Sequence, residues 1–180
     1  ATMTPSEEIM QFLKDNPTFY LATVDGYLPR VRPLGFAMWY KDHLCLGIGK
    51  HKAAYKQLLD NTNLEICACN EKGEFLRVQG TANFDNTPEA QAAAFKIMPQ
   101  LADMYNEETG LKLGIIYLDH LSAKLFRQCK GHHGLLSNKQ NKSKTNARAF
   151  RLWGAHGRFI LYQNQRVLSK ISSIGRLGTQ

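Results

Sequence analysis

Three clusters of basic residues mark the first half of the chain, and together they could bind a phosphate group. They occupy residues 29–33, 49–52 and 76–80, each in or beside a segment with the character of a β-strand. A single sheet that carried all three would bring their cationic side chains to one phosphate-sized anion. The first functional hypothesis is therefore a phosphorylated cofactor.

The second cluster belongs to a predicted strand-to-helix junction at residues 47–52, with the sequence GIGKHK. Glycines allow a ligand to approach the backbone, and the start of the next helix offers N–H groups and a positive dipole end. Arg30 and Arg32 favour the same chemistry, because guanidinium groups bind phosphate in a bidentate manner. Both lie in a segment that Pro29 and Pro33 stiffen.

Alternating strands and helices must position these residues. A helix begins after Thr4 or Ser6, which are typical cap residues, and ends before Asn16. The pattern predicts strands at residues 19–24, 27–40, 43–48, 64–69, 74–84 and 111–118, and further helices at residues 52–60 and 88–98. About six strands with helices between them are typical of a small, closed α+β barrel.

Charge divides the chain of 180 residues into an acidic body and a basic tail. Residues 1–119 hold all 15 acidic side chains and 11 lysines and arginines, whereas residues 120–180 hold 12 lysines and arginines and no acidic residue. No apolar run approaches the roughly 18 to 20 residues that cross a bilayer, and the start of the chain lacks the pattern of a signal peptide. We expect a cytoplasmic protein that does not enter a membrane.

The four cysteines show no C-x-x-C spacing and are expected to be reduced thiols. Cys67 and Cys69 would lie on one face of a strand, where they fit small apolar packing groups better than metal ligands. We therefore predict no metal site.

Four segments carry a specific combination of motifs. They are RVRPLGF at residues 30–36, LGIGKHKAAYKQL at residues 46–58, FLRVQG at residues 75–80 and YNEETG at residues 105–110. This combination resembles the small bacterial members of the pyridoxamine 5′-phosphate oxidase-like family, over about residues 5–126. The resemblance implies a six-stranded antiparallel split β-barrel with flanking helices, of the α+β class. It also implies a homodimer with FMN at the subunit interface.

The same resemblance implies a set of flavin-binding residues. Arg32 and Lys52 match the family's phosphate ligands. Many relatives carry threonine at the position of Ile48, so a hydroxyl that can bond the cofactor is missing here. The other residues expected at the flavin are Arg30, Pro33, Leu34, Gly49, Lys50, His51, Arg77 and Gln79, with Ile48 and Gly49 contributing backbone contacts.

The family does not fix the reaction. Its members oxidise pyridoxamine phosphate, reduce flavins or nitro compounds, use a deazaflavin in place of FMN, or bind haem. The C-terminal arginine and histidine signature of the full pyridoxamine-phosphate oxidases has no clear equivalent here, which argues against vitamin B6 synthesis. We expect an FMN-dependent oxidoreductase of flavin- or nitro-compound reductase type, with an unassigned small-molecule substrate and unknown catalytic residues. The alternative is a non-catalytic flavin or haem binder that acts as a carrier or sensor.

A basic extension, residues 127–180, follows the predicted flavin domain of residues 1–126. Its pattern predicts a flexible linker at residues 137–144, a strand at 159–162 and a short helix at 166–174. Three interpretations remain open. The extension is an appendage without selected function, a basic arm that binds nucleic acid, or a segment that crosses to the partner subunit. The last would bring His132, His133 or His156 near a flavin or haem.

Overall fold

One antiparallel sheet organises the chain. The computed structural model describes residues 2–127 and the backbone of residues 146–151. The strands are β1 (Phe19–Asp25), β2 (Leu28–Leu34), β3 (Ala37–Tyr40), β4 (His43–Gly49), β5 (Asn63–Cys69), β6 (Phe75–Asp85), β7 (Leu113–Arg127) and β8 (Asn146–Arg151). The helices are α1 (Pro5–Asp15), α2 (Ala53–Asp60), α3 (Pro88–Ile97) and α4 (Leu101–Met104). The predicted α+β class is confirmed.

The order of the strands requires the sheet to curl into a split barrel. That order is β2-β1-β5-β6-β7-β4-β3, with β8 paired to β7. β2 and β3 stand at opposite ends of it, yet only Gly35 and Phe36 separate them along the chain. Because one residue spans at most about 3.6 Å, the two edges must approach each other. No pairing joins β2 to β3 in the described part of the chain, so the barrel closes without a continuous ladder.

The strand count differs from the six that the sequence predicted, since the described residues form eight strands. The segment predicted as one strand at residues 27–40 is divided into β2 and β3. β7 continues beyond the predicted end at residue 118 to Arg127, and β8 pairs with that second half of β7. The linker, strand and helix predicted at residues 137–144, 159–162 and 166–174 lie outside the described residues.

Local sequence signals explain how several elements begin. Thr4 caps α1 through a reciprocal pair of hydrogen bonds: its Oγ1 accepts from the Glu7 backbone N–H at 3.3 Å, and the Glu7 carboxylate accepts from the Thr4 N–H at 2.7 Å. The turn between β1 and β2 contains Gly26 at φ +63°, a conformation that favours glycine. Among the helices of the described residues, none has the length and apolar character needed to cross a membrane.

Two hydrophobic cores lie on the two faces of the sheet. The larger one fills the barrel, where fully buried side chains of the strands, such as Leu21 and Leu46, pack with Leu58 of α2. The smaller one lies beneath α3, where the fully buried Ala90 and Ala94 pack with Met38, Cys45 and Ile115. We call the barrel side the inner face and the opposite side the outer face.

The register shows which side chains belong to which face. Arg32 lies opposite Leu21, Leu21 opposite Ile66, and Ile66 opposite Val78. Opposed residues of paired strands project to the same side, so Arg32 belongs to the inner face. The neighbouring row, formed by Pro33, Tyr20, Cys67 and Arg77, belongs to the outer face. There, Tyr20 and Val31 are 52% and 69% exposed. We name the surface around Tyr20, Ala22, Val31, Pro33 and Cys67 the outer patch.

Candidate functional site

The junction between β4 and α2 forms as the sequence predicted. β4 ends at Gly49, and Lys52 is the N-cap residue of α2 without a side-chain cap. The backbone of the intervening turn is tied down, because the Lys50 N–H donates to the Lys112 carbonyl at 2.8 Å and the Lys52 N–H to the Gly49 carbonyl at 2.9 Å. The side chains of Lys50, His51 and Lys52 are exposed. The junction therefore presents cationic groups beside the positive end of a helix dipole.

Close packing at the junction explains why residue 49 is a glycine. A Cβ atom on Gly49 would lie 2.7 Å from the His51 ring and 2.9 Å from the Tyr105 hydroxyl oxygen. Burial raises the pKa of Tyr105, so its hydroxyl remains a neutral donor at physiological pH. Ile48, in contrast, is only 3% exposed and packs in the barrel core. The Ile48 side chain is therefore buried in the core, and only the backbone of this residue could contact a ligand.

Arg32 reaches α2 from the inner face and is held there by neutral groups. One terminal nitrogen, Nη1, donates to the Thr23 hydroxyl and the other, Nη2, to the Gln57 side-chain oxygen, each at 2.5 Å. Thr23 is 3% exposed and itself donates to Gln57 at 2.7 Å. Burial, and secondarily the charge of Arg30, lowers the pKa of Arg32. Within the described residues Arg32 has no carboxylate partner, so its charge is not locally balanced.

Arg32 and Lys52 are brought to the same helix. Gln57 follows Lys52 by five residues, or about 7.5 Å along the helix axis at about 1.5 Å per residue. Arg32 therefore contacts α2 five residues beyond Lys52, the residue at which the helix begins. Two cations and the start of a helix belong to this part of the chain, and groups of these types bind phosphate monoesters.

The other residues predicted on β2 have different surroundings. Arg30 also projects to the inner face, but its Nε lies 3.3 Å from the Asp25 carboxylate, with both side chains about half exposed. Pro33 is exposed on the outer face, and Leu34 is half-buried against the barrel core. Of the cations on β2, only Arg32 is available without displacing a carboxylate.

The third basic cluster lies on the opposite face of the sheet. Arg77 pairs through Nε with the Glu65 carboxylate at 2.9 Å, and the Gln79 amide donates to the same carboxylate at 3.2 Å. Arg77 also lies over the Phe126 ring, 5.8 Å from its centre. The expectation that all three clusters converge is therefore not met within one chain, because β6 places Arg77 and Gln79 on the outer face.

A separate cavity of about 380 Å³ lies between α3 and the segment before β7. It shares Lys50 with the junction, and Tyr105, Lys112 and Asp85 also line it. Hydrogen bonds from the Thr87 hydroxyl and backbone N–H lower the pKa of Asp85, which keeps this carboxylate charged. The cavity therefore contains charges of both signs, unlike the cationic site at α2.

Sequence reasoning did not find Thr23 or Gln57. A threonine in a strand and a glutamine in a helix carry no motif, and the two are 34 residues apart. Only the register of β1 against β2, together with the packing of α2, places both against Arg32. The alternation of β1 marks Thr23 as an inward-facing residue, and that was the one available signal.

Comparisons with known proteins agree with this architecture. Residues 5–113 match the family model described as pyridoxamine 5′-phosphate oxidase. A NimC/NimA family protein from Clostridium acetobutylicum is 27% identical, with a TM-score of 0.63 and coverage of 79% of this chain and 90% of that chain. No match was found among curated proteins.

Two more distant structures share the fold. General Stress Protein 26 from Bacillus anthracis is 13% identical with a TM-score of 0.55, and the match covers 68% of this chain and 94% of that one. A pyridoxamine 5′-phosphate oxidase-related, FMN-binding protein from Nostoc punctiforme is 16% identical with a TM-score of 0.52, covering 83% and 98% respectively. Together with the family match over more than half of its length, the split barrel establishes that this chain belongs to the pyridoxamine 5′-phosphate oxidase family.

Proposed function

We propose that the chain is an FMN-binding oxidoreductase that acts as a homodimer. The observation that carries the proposal is the state of Arg32, whose guanidinium is held beside α2 by Thr23 and Gln57 and has no carboxylate partner among the described residues. A half-buried cation without a carboxylate partner favours an anionic ligand. A phosphate monoester fits, because it can accept several hydrogen bonds from one guanidinium.

The residues at α2 have distinct roles in this proposal. Arg32 and Lys52 would hold the phosphate, while Lys50 and His51 would add positive potential from the same junction. Ile48 and Gly49 would contribute backbone contacts, since the Ile48 side chain is buried in the core. When bound, FMN supplies the ability to accept and donate electrons. The chain's own contribution is to bind and orient the cofactor.

The outer face supports the dimer. Tyr20 and Val31 expose apolar surface in the outer patch, and such surface favours association when a second copy covers it. Arg77 and Gln79 lie on this same face and are separated from Arg32 by the sheet. In a dimer they would approach the second subunit's flavin only where that flavin extends past the edge strand β2, since Arg32 itself belongs to the inner face.

The visible absorption spectrum of the purified protein tests the proposal. We expect flavin bands that shift when the protein is denatured, or that appear on a bound species after FMN is added. Anaerobic addition of NADH or NADPH should then bleach these bands, with recovery on addition of a small-molecule acceptor. A bound flavin that no nicotinamide donor reduces would indicate a carrier or sensor instead. A haem Soret band, or no chromophore even after FMN addition, would contradict the proposal.

A further inference from the structure

Thr23, Gln57 and the Arg32 guanidinium form a closed set of three hydrogen bonds. Arg32 donates once to each neutral partner, and the Thr23 hydroxyl donates to the Gln57 oxygen at 2.7 Å. The arrangement is internally consistent: the hydroxyl accepts one bond and donates one, while the amide oxygen accepts two. All three members come from different elements, namely β1, β2 and α2.

This set leaves part of the guanidinium available for a ligand. Arginine carries five N–H donors, of which one goes to Thr23, one to Gln57 and one makes a long contact of 3.5 Å with the Leu21 carbonyl. In the part of the chain that the structure describes, the remaining donors have no hydrogen-bond acceptor. Arg32 can therefore keep both neutral partners and still donate to a phosphate.

Arg30 shows what an arginine on the same face does without such partners. It lies two residues away on β2, is about half exposed and pairs with Asp25. An arginine side chain has many rotamers, and ordering it on ligand binding costs conformational entropy. Thr23 and Gln57 order Arg32 before any ligand arrives, and they do so without cancelling its charge.

We propose that Thr23 and Gln57 are positioning residues that hold the Arg32 guanidinium for the 5′-phosphate of the flavin, and thereby set the preference for FMN over riboflavin. This inference rests on the proposed function, because it takes FMN as the ligand. The two residues act through Arg32, so the part of the flavin that riboflavin shares with FMN should not sense them.

Isosteric substitutions test the inference. Thr23→Val and Gln57→Leu remove the polar groups with little change in size, and the dissociation constants of FMN and riboflavin are measured for each full-length variant by flavin fluorescence. We expect each to weaken FMN binding about twofold to tenfold, the usual cost of ordering one flexible side chain on binding. Riboflavin binding should stay within about twofold.

Matched controls separate positioning from general damage to the fold. Thr81→Val on β6 alters a half-buried threonine away from Arg32, and it should leave the FMN-to-riboflavin ratio unchanged. Thr23→Ser retains the hydroxyl and should restore most of the FMN affinity, which keeps the test informative if Thr23→Val folds poorly.

Gln57→Glu provides a sharper variant, because it keeps an oxygen in place but adds a negative charge. If Gln57 only supported the fold, this ion pair with Arg32 would be tolerated. If the positive charge of Arg32 must stay free of a carboxylate in order to bind the phosphate, FMN affinity should fall further than in Gln57→Leu. Riboflavin affinity should again be unaffected. In an Arg32→Ala background, Gln57→Leu should add no further loss.

The outcomes distinguish this inference from the proposed function. If Arg32→Ala weakens FMN binding but Thr23→Val and Gln57→Leu do not, the positioning role is wrong and the flavin site stands. If the wild-type protein binds FMN and Arg32→Ala has no effect, Arg32 is not a phosphate ligand and the inference fails. If the wild-type protein binds no FMN, both are overturned.

Discussion

Arg32 and Arg77 lie on strands of the same sheet but have opposite electrostatic surroundings. Arg32, on the inner face, is half-buried and bonded to a hydroxyl and an amide. Arg77, on the outer face, has a side chain 46% exposed and pairs with Glu65 at 2.9 Å. The difference leads us to expect that Arg32, and not Arg77, binds an anionic ligand. A cation held by neutral acceptors keeps its charge for a ligand, whereas one paired with a carboxylate is already balanced.

The largest effect expected from this comparison is on the inner face. Replacing both Arg32 and Lys52 by alanine removes two charge-assisted contacts with the phosphate, and FMN binding should weaken about a hundredfold or more. Riboflavin, which lacks the phosphate, should bind as before. Isothermal titration of both ligands measures the effect, with Lys14→Ala/Lys72→Ala as the control for loss of two positive charges. Unchanged FMN affinity would show that the phosphate site is elsewhere.

A second prediction concerns the outer patch. Val31→Asp places a carboxylate on the exposed side of β2, directly behind Arg32, and each dimer would bury two such charges at the proposed interface. We expect the dissociation constant of the dimer to rise about tenfold to a hundredfold. Sedimentation velocity would show this change as a shift from dimer to monomer. Val31→Thr keeps the β-branched shape without the charge and should remain dimeric. Should both variants sediment like the wild type, the outer patch is not the interface.

Part of the outer face is covered by α3, and Cys45 lies beneath this helix. The ionisation of its thiol can therefore be followed through the stability of the protein. Burial, and secondarily the charge of Asp85, raises the pKa of the Cys45 thiol to about 12. Below the unfolded-state pKa of about 9, the thiol is neutral in both states. As the pH rises from about 9 towards 12, only the unfolded state ionises, so the free energy of unfolding falls.

This stability loss should be specific to the thiol. Between pH 8 and pH 10 the wild type should lose about 1.4 kcal/mol more than Cys45→Ala in urea unfolding. The alanine variant shares every other group that titrates in this range, so the difference between the two proteins isolates Cys45. Parallel stability curves for the two proteins would mean that the thiol already ionises in the folded state.

The smallest effect is expected for Arg77. In the dimer, Arg77→Ala should weaken FMN binding only about threefold, because Glu65 already balances much of the charge and exposed contacts contribute little. In the Val31→Asp monomer, the same substitution should have no effect, since β6 turns Arg77 away from Arg32. Glu65→Gln should strengthen FMN binding slightly in the dimer. An equal effect of Arg77→Ala in monomer and dimer would contradict the assignment of Arg77 to the second subunit's site.

Local signals in the sequence predicted much of the fold. Thr4 and Glu7 carry the capping pattern of α1, and the glycine of the Asp25–Gly26 pair has the positive φ of a tight turn. The pattern did not predict that β7 continues to Arg127. His120 adopts φ +52° beside a register shift between Gln79 and Thr81, and this bulge changes which residues face the core. Beyond this bulge, the alternation of apolar residues in the sequence no longer shows which side chains face the core.

The candidate site was predictable in part. Clustered charge pointed to three segments of the chain, and the family resemblance singled out Arg32 and Lys52 as phosphate ligands. The position of Arg77 on the other face depends on the register across four strands, and a shift of one residue would reverse it. Thr23 and Gln57 were missed for a related reason. Their contacts with Arg32 exist only because tertiary packing brings α2 against β1 and β2.

A crystal structure of the full chain grown with FMN would show where the phosphate binds. We expect the phosphate within about 3 Å of the Arg32 guanidinium nitrogens, with Lys52 beside it and Thr23 and Gln57 still bonded to Arg32. A phosphate bound in the cavity between α3 and β7, or one held at Arg77 with Arg32 making no contact, would show that Arg32 is not the phosphate ligand.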